Sequence, residues 1–509
     1  MSLADLLFAD AVGAGDPRAG EVAVHWGDES WTLSRLRARA TDVACALADA
    51  GVGEGAPVAV MLPDGPDVVA ALFGVWRAGG VYVPLNPRQT APEVVQVTAS
   101  VHPAAVVTTD EHAHRFGDLP VVVPAADRVM VRPGVAGDER LDGDVALVQF
   151  TSGTTGPPKP VLLTHAGVAS LIDGVLRKLR SGAVPDRARA PMPNLVPVSL
   201  SLWAGLYNVL FALRVGAPVV IVGRFEPVAF AALVRRHGIR STVLPPAAMA
   251  MLSDAADAGT VTDLAPLRFV RSITAPLSPL QARRFRDRFG VAVLNSYGQT
   301  EIGGEIIGWN AGDSAAHGED KLGSIGRPHD GVALRVVDDS GVDVTGDAAG
   351  ELWVRTPALA AGYAGGTDLS DRLSSDGWFR TGDVARIDGD GFVWIEGRLS
   401  DMVNRGGLKV FPAEVEEVLR LSPDVADVAV VGVPDERLGE VPCAFVVPRH
   451  RGVPPDPAAL EALCRAHLAP YKVPVRVTAL DELPRNEVGK VLRSALARQA
   501  TAPTAGGNP

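Results

Sequence analysis

Cysteine is scarce in this sequence, with only Cys45, Cys443 and Cys464 among 509 residues. Their number is odd, and their positions fit neither a disulfide framework nor a set of metal ligands. The ten histidines lack the close pairing that is typical of a zinc site. We therefore expect no zinc site, a reducing cytoplasmic compartment, and three cysteines that are small buried residues.

Excess positive charge and long apolar runs are also lacking. Lysine and arginine total 48 against 59 aspartate and glutamate residues, so the formal net charge is -11. A surface of this sign would repel nucleic acids and anionic membranes, and neither is expected as a partner. No apolar run reaches spanning length, and the first ten residues contain no lysine or arginine. Neither a membrane span nor a secretory signal is therefore predicted.

The composition that is present is that of a globular protein, with 47% hydrophobic and 21% charged residues. A chain of this length exceeds one ordinary core, which predicts two or more domains. Over the first four hundred residues, short apolar runs such as 56–63 and 81–87 alternate with helix-length segments such as 66–80. This alternation predicts an α/β fold whose largely parallel sheets are covered by helices.

The pattern changes from about residue 320. Residues 332–341, 350–355 and 391–398 alternate between apolar and polar side chains, and aspartate and glycine turns separate them, as in antiparallel hairpins. A compact mixture of helices and strands follows over residues 412–468. We therefore predict an antiparallel β subdomain at the end of a large N-terminal domain, and a small α+β domain after a boundary near residue 400.

A phosphate-binding loop is one interpretation of residues 151–160, TSGTTGPPKP, which follow a predicted strand. Glycines allow backbone amides to turn toward an anion, hydroxyl groups add donors, and Lys159 would supply a positive charge. The segment is not a Walker loop, because Lys159 precedes Pro160 rather than serine or threonine. Judged alone, it fits a glycine-rich surface turn equally well.

Four further segments accompany this loop: NSYGQTE at 295–301, RTGD at 380–383, GRLSDMVNRGG at 397–407 and PRNEVGK at 484–490. With them, nearly the whole chain resembles the adenylate-forming superfamily of acyl-CoA synthetases, adenylation domains and firefly luciferase. The resemblance implies that an acid and ATP form an adenylate and pyrophosphate, after which a second nucleophile displaces AMP. It also implies an N-terminal AMP-binding domain, a hinge, a mobile C-terminal domain and a flexible tail, at 1–398, 399–402, 403–497 and 498–509.

By this resemblance, acid activation depends on residues in several of these segments. Lys490 would bridge the acid and the α-phosphate, Thr300 would reach the α-phosphate, and Glu301 would hold Mg2+. Pro160 replaces the family's glycine and is expected to stiffen the exit of the loop. The loop residues expected to bind the phosphates of ATP are Thr151, Ser152, Gly153, Thr154, Thr155, Gly156 and Lys159. Those expected to bind adenine and ribose are Ser296, Tyr297, Gly298, Asp383 and Arg398.

The acid pocket is where the sequence departs from the family pattern. Where many relatives have an aromatic–histidine pair, the nearest residues here are Leu202 and Trp203, and the wall segment G-G-A-P is ITAP. Ile273 and Thr274 in that segment are expected to narrow the pocket. Residues 197–205 contain no aspartate to pair with a substrate amine, so we expect a neutral aryl or short acyl acid. The residues expected to line the pocket are Leu202, Trp203, Thr274, Ala275, Pro276 and Gly303.

The second substrate implied by the resemblance is a thiol. Asp401 falls at the family's hinge, about which the small domain rotates so that Gly406 and Gly407 line a tunnel for a pantetheine arm. Coenzyme A is the expected thiol, and the phosphopantetheine of a separate carrier protein is an alternative. Activation of an oxyacid such as nitrite, and an inactive ATP-binding protein, are two further alternatives. The retained Lys159 and Lys490 weigh against the last of these.

Overall fold

The computed structural model describes residues 2–9, 18–126, 128–151, 158–180, 191–344, 346–366, 368–450, 452–485 and 490–501. Among these residues, no helix is both long and apolar enough to cross a lipid bilayer. The helices are α1 (Asp5–Phe8), α2 (Leu33–Asp49), α3 (Pro66–Arg77), α4 (Ala91–Val101), α5 (His165–Arg180), α6 (Trp203–Arg214), α7 (Pro227–His237), α8 (Pro246–Asp257), α9 (Pro279–Phe289), α10 (Ala311–His317), α11 (Pro412–Leu419), α12 (Pro457–His467) and α13 (Arg493–Thr501).

The strands fall into sheets that follow the chain closely. The N-terminal strands are β1 (Val22–Trp26), β2 (Glu29–Thr32), β3 (Pro57–Met61), β4 (Val81–Pro84), β5 (Ala105–Thr108), β6 (Val121–Pro124), β7 (Val129–Arg132), β8 (Val145–Phe150), β9 (Pro160–Thr164), β10 (Asn194–Val196), β11 (Val219–Ile221), β12 (Ser241–Leu244), β13 (Phe269–Ser272), β14 (Ala292–Gln299), β15 (Gly304–Gly308) and β16 (Arg327–Pro328). The later strands are β17 (Ala333–Val337), β18 (Gly350–Arg355), β19 (Gly362–Tyr363), β20 (Phe379–Ile387), β21 (Val393–Arg398), β22 (Val403–Arg405), β23 (Leu408–Val410), β24 (Val425–Asp435), β25 (Gly439–Pro448) and β26 (Arg476–Ala479).

The largest sheet has eight strands in the order β19-β9-β8-β4-β3-β5-β6-β7. Its centre is parallel, and antiparallel strands lie at both edges. Every residue of β3 and β4 is buried, because helices cover both faces of a parallel sheet. The prediction of largely parallel, helix-covered sheets therefore describes the sheet centre but not its edges.

Two further sheets complete the helix-covered part of the large domain. One has the order β12-β13-β14-β15-β16 and changes from parallel to antiparallel after β14. The other has the order β10-β11-β1-β2. The antiparallel β subdomain predicted from residue 320 onward is the four-stranded sheet β17-β18-β20-β21, in which every pairing is antiparallel.

The C-terminal region has its own five-stranded sheet, in which β23, β22, β25 and β24 are neighbours and β26 pairs with β25. Its last helix, α13, continues to Thr501, beyond the boundary of the tail predicted to begin at residue 498. Leu496 and Ala500 are buried against Val431 and Phe445, so apolar packing extends the folded chain by another turn. Residues 502–509 lie outside the described residues.

The cysteine prediction is correct for two residues and wrong for one. Cys443 and Cys464 are buried, but Cys45 is exposed. In helix α2 the buried stripe includes Ala40, Val43 and Leu47, which recur at the spacing of one helical face. A residue two positions after Val43 is rotated by about 200° from that stripe, which leaves Cys45 on the solvent side.

The small domain is docked against the large one by polar contacts. Ser278, the N-cap of α9, donates a hydrogen bond from Oγ to Oε2 of Glu417 over 2.8 Å. On another face, Nζ of Lys409 lies 3.1 Å from a carboxylate oxygen of Asp339. These contacts define one arrangement of the two domains, and this arrangement determines which C-terminal residues reach the candidate site.

Candidate active site

Glu301 is placed by a sharp change of direction at the end of β14. The strand ends at Gln299, and Thr300–Ile302 form a short 3-10 turn before β15 begins. Gly303 closes the turn at φ +81°, and a Cβ at that position would lie 2.7 Å from the carbonyl oxygen of Ala358, so only glycine fits. Glu301 is only 9% exposed, which is unusual for a carboxylate.

Asp383 is the centre of a hydrogen-bond network. Tyr297 Oη donates to Asp383 Oδ2 over 2.6 Å, and Gln299 Nε2 donates to the same oxygen over 2.8 Å. Arg398 lies directly opposite Asp383 in the β20–β21 ladder, and its Nε donates to Oδ1 over 3.2 Å. Burial and the Asp383 carboxylate raise the pKa of Tyr297, so its hydroxyl stays a donor at neutral pH. The network fixes the carboxylate predicted to bind ribose.

Lys490 reaches this network from the C-terminal domain. Burial, and then the charge of Arg398, lower the pKa of the Lys490 amine, while Glu301 and Asp383 act in the opposite direction. Three charged side chains of the large domain therefore act electrostatically on Lys490 of the small domain. The docked arrangement thus brings together the predicted nucleophile-positioning lysine, the metal-holding carboxylate and the ribose-binding pair.

The phosphate loop is described only at its two ends. Ser152, Gly153, Thr154, Thr155 and Gly156 lie outside the described residues.

At the described ends of the loop, Thr151 N donates to Lys159 O over 3.0 Å, and Lys159 N lies 3.3 Å from Thr151 Oγ1. Pro160 is the first residue of β9, opposite Phe150, a position where a strand tolerates a missing N–H. The stiffer exit expected from Pro160 stays a prediction.

Trp203, which is predicted to line the acid pocket, lies against Gly303. It begins helix α6, with Leu202 as the preceding extended residue, and its Nε1 donates to the carbonyl oxygen of Gly303 over 2.7 Å. The next residue, Gly304, is so close that a Cβ there would lie 2.9 Å from Trp203 Nε1. The indole therefore occupies the space beside the glycine pair that follows Glu301.

The wall segment ITAP has an unusual backbone. Thr274 adopts a positive φ of 72°, which is rare for a branched residue and costs about 1–2 kcal/mol. Its side chain is exposed, as is that of Pro276, whereas Ile273 and Ala275 are partly buried. The narrowing effect expected of Ile273 and Thr274 stays a prediction.

A buried polar cluster lies beyond Gly304. Glu305 accepts a hydrogen bond from Arg271 Nη1 over 2.6 Å, and His329 Nε2 is 3.1 Å away. Although burial acts to raise it, Arg271 and then His329 lower the pKa of Glu305 to about 2. Tyr207 packs its ring 5.9 Å from that of Trp203, and its Oη is buried without a hydrogen-bond partner among the described residues. Buried hydroxyls are normally paired, so Tyr207 Oη is an unsatisfied polar atom beside this cluster.

The predicted hinge follows Arg398 of the charged cluster directly, whereas the predicted thiol tunnel is a turn within the small domain. Asp401 ends a 3-10 turn, and its Oδ2 is 3.5 Å from Nε of Arg493. Gly406 and Gly407 form the exposed turn between β22 and β23 with φ values of +61° and +89°, which suit glycine. In this arrangement they contact Leu438 and Asn404 of their own domain.

Two residues next to the site were not selected from the sequence. Gln299 occupies the variable position of the Y-G-x-T-E pattern, yet it holds Asp383. Tyr363 contacts Glu301 through its hydroxyl. A glycine–tyrosine pair is a weak pattern, and only the strand pairing at the sheet edge reveals its position.

The residues present fit the use of Mg2+ with ATP. No group of three or more metal-ligating side chains occurs in the described ranges. Glu301 offers one buried carboxylate, and Mg2+ is commonly held by one or two carboxylates together with substrate phosphates. The donor set therefore suits a metal that arrives with the nucleotide.

Comparison with known proteins agrees with this geometry. Residues 13–364 match the family model of AMP-binding enzymes, and residues 414–490 match that of the AMP-binding enzyme C-terminal domain. The chain is 33% identical to indoleacetate–CoA ligase of Aromatoleum aromaticum over 492 residues, covering 93% of this chain and 94% of that protein. It is 34% identical to feruloyl-CoA synthase of an Amycolatopsis species over 486 residues, covering 94% and 95% of the two chains.

A solved structure extends the comparison to the fold. The o-succinylbenzoate coenzyme A synthetase of Bacillus subtilis, in complex with ATP and a magnesium ion, superposes with a TM-score of 0.82 at 25% identity. The match covers 97% of this chain and 99% of that chain. The predictions of the family, the α/β fold and the use of ATP, Mg2+ and coenzyme A are confirmed. The chain belongs to the AMP-binding, adenylate-forming enzyme family and is an AMP-forming acid–thiol ligase.

Proposed function

We propose that the protein joins a neutral aryl acid to coenzyme A through an enzyme-bound acyl-adenylate. The observation that carries this proposal is the hydrogen-bond network of Asp383 with Tyr297 and Arg398, to which Lys490 of the small domain is electrostatically coupled. In the first step the acid's carboxylate oxygen attacks the α-phosphorus and pyrophosphate leaves. In the second step the thiol sulfur attacks the acyl carbon, and AMP leaves.

The roles of the charged residues follow from where charge accumulates in the first step. Lys490 draws the carboxylate and the α-phosphate together and offsets their mutual repulsion. Asp383, held by Tyr297 and Arg398, orients the ribose so that the α-phosphorus faces the acid. Mg2+ bound with ATP would neutralise phosphate charge beside Glu301.

The acid class is argued from the polar cluster beyond Gly304. Glu305 is already paired with Arg271 and His329, so it is not a free carboxylate for a substrate ammonium group. Two relatives are named for indoleacetate and feruloyl substrates, both aryl acids. We propose that the far end of the acid carries a hydrogen-bonding group that pairs with Tyr207 Oη.

The Tyr207→Phe variant tests this last point. Against phenylpropenoic acids with and without a para-hydroxyl group, we expect KM to rise about two- to tenfold only for the hydroxylated acid, since one buried hydrogen bond contributes about 0.5–1.5 kcal/mol. The unsubstituted acid should be used as well as by the parent protein, because phenylalanine keeps the ring packed on Trp203. An equal change for both acids would contradict the assignment.

The function itself is tested by separating the half-reactions. Purified protein is incubated with ATP, Mg2+ and a panel of aryl, short acyl and amino acids and nitrite, without thiol. Pyrophosphate release and the adenylate mass are measured. We expect release with aryl acids, and conversion to the CoA thioester with AMP when coenzyme A is added.

The alternatives predict other results in the same experiment. If pyrophosphate is released with nitrite and with no carboxylic acid, nitrite is the substrate that the protein activates. If the adenylate reacts with a phosphopantetheinylated carrier protein but not with coenzyme A, the carrier protein is the acceptor. Absence of pyrophosphate with every acid would contradict the proposed reaction and favour an inactive ATP-binding protein.

A further inference from the structure

The segment that contains the edge strand β19 connects the C-terminal end of the phosphate loop to Glu301 by hydrogen bonds. It pairs antiparallel with β9, which begins directly after Lys159, and Tyr363 lies opposite Val161. Ala364 N donates to Pro160 O over 2.8 Å, which places the start of β9 in the same ladder. On its other side, Ala360 N donates to the carbonyl oxygen of Glu301 over 2.8 Å. One short segment therefore holds both elements through backbone hydrogen bonds.

The side chain of Tyr363 also contacts both elements, at Glu301 and at Lys159. It is 7% exposed, and its Oη donates to Glu301 Oε1 over 3.4 Å. The Nζ of Lys159 lies 5.2 Å from the centre of the same ring, within the range of a cation–π contact. The hydroxyl thus contacts the residue predicted to hold Mg2+, and the ring face contacts a residue predicted to bind the phosphates of ATP.

We propose that Tyr363 is a positioning residue for adenylation. It sets the distance between Lys159, which is predicted to bind the phosphates of ATP, and Glu301, which is predicted to hold Mg2+. Its hydroxyl fixes the rotamer of Glu301, and its ring limits where Lys159 can lie. Both contacts must be aligned before pyrophosphate can leave in line with the attacking carboxylate. The proposal concerns the first half-reaction only and does not depend on which acid is activated.

Two variants separate the hydroxyl from the ring. Tyr363→Phe keeps the ring beneath Lys159 and removes the donor to Glu301, whereas Tyr363→Leu removes both. The direct measurement is calorimetric binding of a non-hydrolysable ATP analogue to the full chain, with and without Mg2+. This readout depends on no turnover, so it stands whatever the result of the acid panel.

We expect Tyr363→Phe to bind the analogue without Mg2+ as the parent protein does, and to lose about three- to tenfold of the affinity gained when Mg2+ is added. Tyr363→Leu should lose that gain and also bind about two- to fivefold more weakly without metal, because the cation–π contact is gone. In both variants, conversion of supplied acyl-adenylate to thioester should be unchanged.

A matched control is available in the small domain. The ring of Tyr471 also lies under a lysine, with Nζ of Lys472 5.7 Å from its centre, but it packs against the hydrophobic core of the small domain. Tyr471→Phe should leave the Mg2+ effect on binding unchanged. A Tyr363→Phe variant with the parent's full Mg2+ effect would overturn the proposal, and so would an equal loss in both half-reactions, which indicates a general structural role.

Discussion

The Lys490→Ala variant is expected to form adenylate at least about 100-fold more slowly than the parent protein, a loss typical of removing one preorganised charge donor. An acid anion must approach a phosphate that is itself anionic, and Lys490 is the cation that the docked small domain brings to that point. Its reach to Glu301, Asp383 and Arg398 places it where this charge accumulates. The measurement is pyrophosphate release from ATP and the preferred acid at saturating substrates.

The same variant should convert a supplied acyl-adenylate and coenzyme A to thioester at nearly the parental rate. In that step the phosphoryl bond is already made, and the small domain is expected to have rotated Lys490 away. Lys472→Ala is a suitable control, since Lys472 pairs with Glu414 inside the small domain and should affect neither step. Equal loss of both half-reactions in Lys490→Ala would show that the lysine acts on stability or docking instead.

The candidate residues whose positions follow from sequence alone are those in short contiguous patterns. Glu301 follows β14 directly, so its position depends only on one strand and one turn. Asp383 and Arg398 lie opposite each other because β20 and β21 form a hairpin whose register follows from their separation. The positions of such residues can be predicted from the sequence because they depend on few other elements of the fold.

The residues that sequence alone missed depend on packing between distant segments. Tyr207 matters because its hydroxyl has no partner in a buried space shaped by β13, β15 and helix α6. Tyr363 matters because an edge strand places it in contact with Glu301, which lies 62 positions earlier in the sequence. The positive φ of Thr274 likewise gives no signal in composition or periodicity. Only the assembled fold determines such contacts.

The Asp401→Pro variant is expected to keep adenylate formation and to lose thioester formation by about 100-fold or more. Asp401 ends a 3-10 turn. The φ values usual in such turns, about -50 to -70°, include the value that proline imposes, so we expect the docked arrangement to tolerate the ring. Rotation of the small domain about this residue requires φ or ψ to change, and the ring forbids the change in φ. The measurement pairs pyrophosphate release with thioester formation from supplied adenylate.

Alanine at the same position separates the hinge from the ion pair. Asp401→Ala removes the 3.5 Å contact with Arg493 but leaves the backbone free, and Arg493 remains anchored by Glu416 at 2.6 Å. We therefore expect Asp401→Ala to carry out both half-reactions within about threefold of the parent protein, since a partly exposed ion pair contributes little. If Asp401→Pro transfers to thiol as fast as Asp401→Ala, rotation occurs elsewhere in the 399–402 segment. If both variants lose transfer, the Arg493 contact rather than backbone freedom controls the second step.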